Sequence, residues 1–187
     1  LSEDSNQPYI GKKGSLLVFN GEIFNWPDLF KELKISDEFV PKSDTQFLSW
    51  LIENNLLESI IPKFKGFFAF VYYDPKQYSL IVARDCFGVK PLYYSIIENK
   101  IPVFSSTSEA LVKHPLINPN LDPKSIQIFL RYGFFSHNNS PYQDVYQIKP
   151  GSLLKFNLDE NYLFKDFHLI NDFGISSLPF NKSDTIL

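Results

Sequence analysis

The chain has 187 residues, 44 % of them apolar and 21 % charged. That fits one globular domain with a tail, able to bury roughly 70 % of its unfolded surface. Acidic residues outnumber basic ones by 21 to 18, giving a net charge of −3 without any Lys/Arg cluster, which argues against nucleic acid and acidic membranes as partners.

Residues 1–14 are polar and without period, so they read as loop with no signal peptide. Residues 15–20 read as a buried strand. PDLFKELK, opened by Pro27, reads as a short helix. SDTQFLSWLIENN is the clearest helix: Ser43 is its N-cap, Gln46 completes a capping box, and Phe47, Leu48, Leu51 and Ile52 form the apolar stripe. LLESIIPKF predicts a second short helix. GFFAFVYYDPKQYSLIVARD then gives two apolar runs around residues 74–77, a hairpin whose strands are covered on both faces. Its first run, the longest in the chain, is far short of the about 20 residues that span a bilayer, so no membrane contact is expected.

PLYYSIIENKIPVFSS repeats the strand–turn–strand pattern. SEALVKHP is a short helix stopped by Pro115, and LDPKSIQIFLRYG is a helix with Asp122 as N-cap and Gly133 past its end. GSLLKFNL and YLFKDFHLI form a last hairpin around residues 159–161. The order of hairpins and separate helix blocks predicts an α+β fold of antiparallel sheets covered by helices.

Asn20-Gly21-Glu22 interrupts the first apolar run, and two readings stand. Asn-Gly is the strongest short hairpin signal, although Trp26-Pro27 breaks the chain before a clear second strand. Alternatively, a carboxamide N–H₂ and a glycine backbone N–H point at one oxygen and stabilise the charge of a tetrahedral intermediate, glycine letting substrate approach the backbone. Asp44 either complements a helix dipole or grips a ligand ammonium. Arg84 and Asp85 read as a structural ion pair. The one cysteine, Cys86, rules out an internal disulfide framework and fits a reducing, cytoplasmic compartment. With no His or Asn nearby to activate it, it reads as an inert thiol. His114, His137 and His168 lack ligand spacing, so no metal site is expected.

FNGEIFN, SDTQFL, GFFAFVYYD, ARDCFGVKPLYY, HP…LDPKSIQIFLRYG and IKPGSLLKF, in this order, resemble the glutamine-hydrolysing domain of glutamine-dependent asparagine synthetases. That domain is a class II glutamine amidotransferase, an N-terminal-nucleophile hydrolase. The resemblance runs to about His168; NGE alone is weak, whereas ARD-x-FG-x-K-PLYY is specific. It implies a four-layer α/β/β/α sandwich, incomplete here, over residues 1–170, with 171–187 as a linker. Glutamine is the implied substrate. Asn20 and Gly21 match the oxyanion pair, Glu22 a neighbour that helps hold glutamine, and Asp44 the carboxylate that binds its α-ammonium.

The family's nucleophile is a cysteine at the mature N-terminus, with its own amine as base. This chain has no such residue, and Cys86 does not replace it. The arginine that contacts the glutamine carboxylate in the family has no counterpart here either. The chain also starts at Leu1 and contains no Met, so a piece of a longer polypeptide, inactive by itself, is expected. Thr107 stands where the family has Glu, and Cys86 where it has a bulkier or basic residue. The resemblance further implies a C-terminal synthetase domain that carries ATP and Mg²⁺, with no cofactor in this chain, and it leaves room for a homodimer. Two alternatives stand beside it: an amidotransferase of this kind with another acceptor, a glycan or a peptide, and a non-catalytic pseudo-glutaminase scaffold.

Overall fold

The computed structural model describes residues 6–34, 40–136 and 138–174; His137 and the last thirteen residues of the expected linker lie outside them. Alternation in the first apolar run continues past Phe19, because every second side chain from Leu17 to Ile23 lands on one covered face. The strand it forms, β2 (Leu16–Ile23), pairs at its start with a two-residue β1 (Tyr9–Ile10) and along its length with β3 (Gly66–Asp74). β3 turns into β4 (Ser79–Arg84), and β8 (Ser152–Leu158) and β9 (Phe164–Asp172) complete a six-stranded antiparallel sheet of order β1-β2-β3-β4-β8-β9. β5 (Tyr93–Ile97) lies between β6 (Ile101–Ser105) and the two-residue β7 (Tyr146–Gln147) in a second antiparallel sheet.

Helices cover the outer faces. α1 (Trp26–Glu32), α2 (Asp44–Glu53) and α3 (Leu57–Ile60) pack on the large sheet, with Leu29, Phe47, Leu48, Leu51, Ile52 and Ile60 against Leu17, Phe19, Ile23 and Phe68. Between the sheets, Ala69, Val82 and Phe156 meet Leu92 and Ile148. On the far side, Leu111 of α4 (Ser108–Val112) packs on Ile97. Helices, sheet, sheet and helix make the four layers of the expected α+β sandwich. α5 (Pro123–Tyr132) follows with its predicted N-cap Asp122 and with Gly133 left-handed at its end.

Thr107 is the N-cap of α4, its hydroxyl accepting the Ala110 N–H at 3.3 Å. β9 continues through Asp172, two residues past the boundary expected for the linker, and Phe173 packs on the core. No helix among the described residues is long and apolar enough to cross a membrane.

Lys149 Nζ donates to Asp172 Oδ2 at 2.7 Å, and this bond is the chief cause that holds the Asp172 carboxyl below the usual carboxylate range. A depressed folded value means that the pair stabilises fully above the unfolded value near pH 4 and loses its effect as pH falls through the folded one. Because the pair is exposed, Asp172→Asn is expected to cost only about 0.5 kcal/mol at pH 7. Thermal melts of the two proteins should converge as the pH drops below 4, and a gap that persists there would assign the effect to packing.

Candidate active site

Asn20-Gly21-Glu22 is not a turn. The three residues continue β2 and pair with Ala69, Phe68 and Phe67 of β3. Both the hairpin and the idea that the strand stops at this point are therefore corrected. The physical reason is the fit of Gly21 to its neighbour. Its φ is +144°, and a Cβ there would run into the Phe67 carbonyl oxygen and stand 2.7 Å from Phe68 Cα. A strand can pass β3 this closely only with glycine.

The ladder fixes where the Gly21 peptide points. Phe68 turns its polar groups away from β2, its C=O accepting the Asp85 N–H at 2.7 Å and its N–H reaching Asp85 Oδ2 at 3.3 Å. Gly21 and Phe68 are thus a pair without mutual hydrogen bonds, and the Gly21 N–H and C=O face the opposite edge of β2. On that edge β1 pairs only with Leu16 and Leu17. Beyond it, the Gln7 carboxamide takes the place of a strand, its Nε2 donating to the Phe19 C=O and its Oε1 accepting the Phe19 N–H, both at 2.6 Å. Two residues further than Gly21, the Ile23 N–H donates to Asp44 Oδ2 at 3.1 Å. The Gly21 peptide therefore lies between Gln7 and Asp44.

Asp44 is placed by the start of α2. Ser43 Oγ accepts the Gln46 N–H at 3.2 Å, and Gln46 Oε1 accepts the Lys42 N–H at 2.9 Å, so the box closes one residue earlier than expected. Asp44 Oδ1 accepts its neighbour's N–H, from Thr45, at 2.8 Å. Each oxygen of this carboxylate keeps a further lone pair for a ligand. Gly21, Glu22 and Asp44 line one polar cavity of about 430 Å³ together with Gln7, Lys42 and Trp26.

Asn20 is not brought into that cavity. Its side chain lies on the other face of the sheet, in an apolar cavity of about 420 Å³ between the two sheets, with Val18, Val71, Leu92 and Phe104. The carboxamide and the adjacent peptide N–H open to two sides of the same strand.

Residues 1–167 match the family described as the glutamine amidotransferase domain. The chain belongs to this family. Similar curated proteins include asparagine synthetase [glutamine-hydrolyzing] 1 of Bacillus subtilis (strain 168), 30 % identical over 83 % of this chain and 24 % of that protein. Putative asparagine synthetase [glutamine-hydrolyzing] 1 of Methanocaldococcus jannaschii is 34 % identical over 89 % of this chain and 27 % of that protein. Amidase chry2 of Gibberella zeae is 31 % identical over 82 % and 22 %. The chain spans about a quarter of the length of these relatives. Among solved structures, the glutamine phosphoribosylpyrophosphate amidotransferase from B. subtilis, complexed with ADP and GMP, shares the fold with a TM-score of 0.55. It is 21 % identical over 88 % of this chain and 30 % of that one.

In this amidotransferase domain, the loop after β4 is organised by two buried charges that do not pair with each other. Arg84 donates to three carbonyls: Nε to Lys90 at 2.8 Å, one terminal nitrogen to Ile148 at 2.9 Å and the other to Gly88 at 2.6 Å. Burial pushes its guanidinium below the ordinary value, with Asp85 acting the other way. The Asp85 carboxylate accepts the N–H groups of Phe87, Val89, Lys90 and Phe68 at 3.0–3.3 Å. The expected ion pair is corrected accordingly: each charge is used up on backbone dipoles. Cys86 lies on this loop. Burial first, then the Asp85 carboxylate, push its thiol up, away from the thiolate a nucleophile needs.

Sequence reasoning missed Gln7 and Lys42. Gln7 carries no signal in a single sequence, because a side chain that replaces a strand has no period.

Proposed function

We propose that this chain is the glutamine-hydrolysing part of an amidotransferase of the asparagine-synthetase kind. Glutamine would bind with its α-ammonium on Asp44, assisted by Glu22, and with its side-chain carbonyl oxygen at the Gly21 N–H. A cysteine from residues outside Leu1–Leu187 attacks that carbonyl, ammonia leaves as the C–N bond breaks, and water then releases glutamate. The ammonia would amidate aspartate in an ATP- and Mg²⁺-dependent part of the same polypeptide. The observation that carries this reading is the Gly21 peptide on the open edge of β2, in one cavity with a carboxylate held by the Ile23 and Thr45 N–H groups. In this reading Asn20, whose side chain opens to the other face of the sheet, would act as a second donor only for an oxyanion placed at the edge of β2.

The similarity to a protein named amidase favours one second reading, the same glutaminase chemistry feeding another acceptor. Both readings share the glutamine site. In the complete polypeptide, Asp44→Asn is expected to raise the KM for glutamine roughly 10- to 100-fold, the worth of a hydrogen bond to a charged group. Synthesis from free ammonia should be unchanged. Steady-state ammonia release checks this, and a KM change below threefold would remove Asp44 from the site.

A further inference from the structure

The second sheet leaves part of one β5 edge open, and a cavity of about 490 Å³ lies there. The Leu92 C=O accepts the Ile148 N–H at 2.8 Å, so alternate peptides along this strand, those of Tyr94 and Ile96, face β7. Tyr94 pairs with Tyr146, and the ladder ends with that pair. The residue in register to stand opposite Ile96 is Asp144, whose φ of +57° turns the chain away. The Ile96 N–H and C=O therefore face the cavity without a backbone partner among the described residues. This cavity shares no lining residue with the one at Gly21.

Its chemistry is one-sided. Two carboxylates line it, Glu98 from the β5–β6 turn and Asp144, and no lining residue is cationic. Neither carboxylate is in an ion pair among the described residues. Ser95 lines it too, although only 2 % exposed. Its side chain alternates onto the outer face of the sheet with Ile97, where Ile117 joins the cavity wall. The Ser95 hydroxyl has no hydrogen-bond partner among the described residues, a cost to the fold unless a ligand supplies one. Leu116 and Ile117 form an apolar wall, and the Tyr146 ring, packed on Tyr94 with centroids 5.5 Å apart, forms an aromatic one. We propose that this cavity binds an organic cation on an aliphatic stem, the chemistry of a lysine or arginine side chain or of a free alkylamine. Such a head brings positive charge and N–H donors and accepts nothing, which matches two carboxylates, a hydroxyl and a strand carbonyl. The stem covers Leu116 and Ile117, and the Tyr146 face attracts the charge. A metal ion suits the site less well, because no group of three His, Cys, Asp or Glu side chains able to hold one occurs among the described residues. The proposal is independent of the glutamine reading.

The test is calorimetric titration of the complete polypeptide with butylguanidinium and with butylurea, which has the same shape but no charge. Butylguanidinium is expected to bind about tenfold more tightly, the worth of two solvent-exposed ion pairs together. Glu98→Gln combined with Asp144→Asn should abolish that preference and leave butylurea binding as it is. Both side chains are exposed and both replacements are isosteric, so the fold is kept. Ser95→Ala should weaken butylguanidinium about threefold, the loss of one hydrogen bond. An acetylated and amidated Gly-Arg-Gly peptide distinguishes the two sources of the cation. Tighter binding than butylguanidinium assigns the site to a side chain of a polypeptide partner, and weaker binding assigns it to a free small cation. No binding of butylguanidinium, equal binding of butylurea, or a preference that survives the double substitution would each overturn the proposal.

Discussion

Asp85→Ala is expected to destabilise the protein by about 3 kcal/mol, because one buried and three partly buried N–H groups lose their acceptor at once, and a buried one alone costs about 1–3 kcal/mol. Asp85 is 1 % exposed and accepts from Phe68, Phe87, Val89 and Lys90. Against a typical total stability of about 5–15 kcal/mol, the loss is large. Asp85→Asn keeps the shape but turns one oxygen, which serves two N–H groups, into a third donor facing them. It is expected to recover less than half of the loss. Urea denaturation of the three proteins decides the matter, and a change below about 1 kcal/mol for Asp85→Ala would show that the loop finds other acceptors. The effect should also reach the cavity. Asp85 holds the Phe68 backbone, and Phe68 faces Gly21 across the ladder.

The sandwich was readable from hydrophobic period and turn chemistry. Phe47, Leu48, Leu51 and Ile52 announced the buried stripe of α2, and all four are at most 6 % exposed. Ser43 and Asp122 announced their helices through a local bond within three residues, which sequence spacing encodes directly. Arg84 and Asp85 are harder to read, because sequence adjacency does not say which way a charge points. Their neighbourhood in sequence suggests mutual attraction, but adjacent residues of an extended chain point to opposite sides, and both charges are taken up by backbone dipoles, mostly of the loop that follows, with Ile148 for Arg84 and Phe68 for Asp85 from further away. Asn20-Gly21-Glu22 was ambiguous because the deciding constraint, the approach of Phe67 and Phe68, lies more than forty residues away. Gln7 is invisible because its role depends on β1 beginning only at Tyr9, which leaves its side chain to meet the Phe19 backbone. Local rules gave the frame; the site depends on contacts that only the folded sheet creates.

Gly21→Ala isolates that constraint. The substitution is expected to cost about 3 kcal/mol, from a strained positive φ together with overpacking against β3. Gly133→Ala is the control. Gly133 has a φ of +77° but nothing within 4 Å of an added Cβ, so it should cost only about 1 kcal/mol, the backbone term alone. The difference between the two measures the steric approach of β2 and β3. Relief is possible only if the strands move apart, since the obstructing atoms are backbone. Such a shift carries the Gly21 N–H away from the point where the carbonyl oxygen of glutamine would rest. Hydrolysis in the complete polypeptide is therefore expected to fall about 100-fold in kcat, the usual cost of one oxyanion donor, while Gly133→Ala leaves it unchanged. Equal stability losses for the two alanines would show that the close approach is soft. A large stability loss with unaltered kcat would show that the Gly21 peptide holds β2 in place without touching the reacting amide.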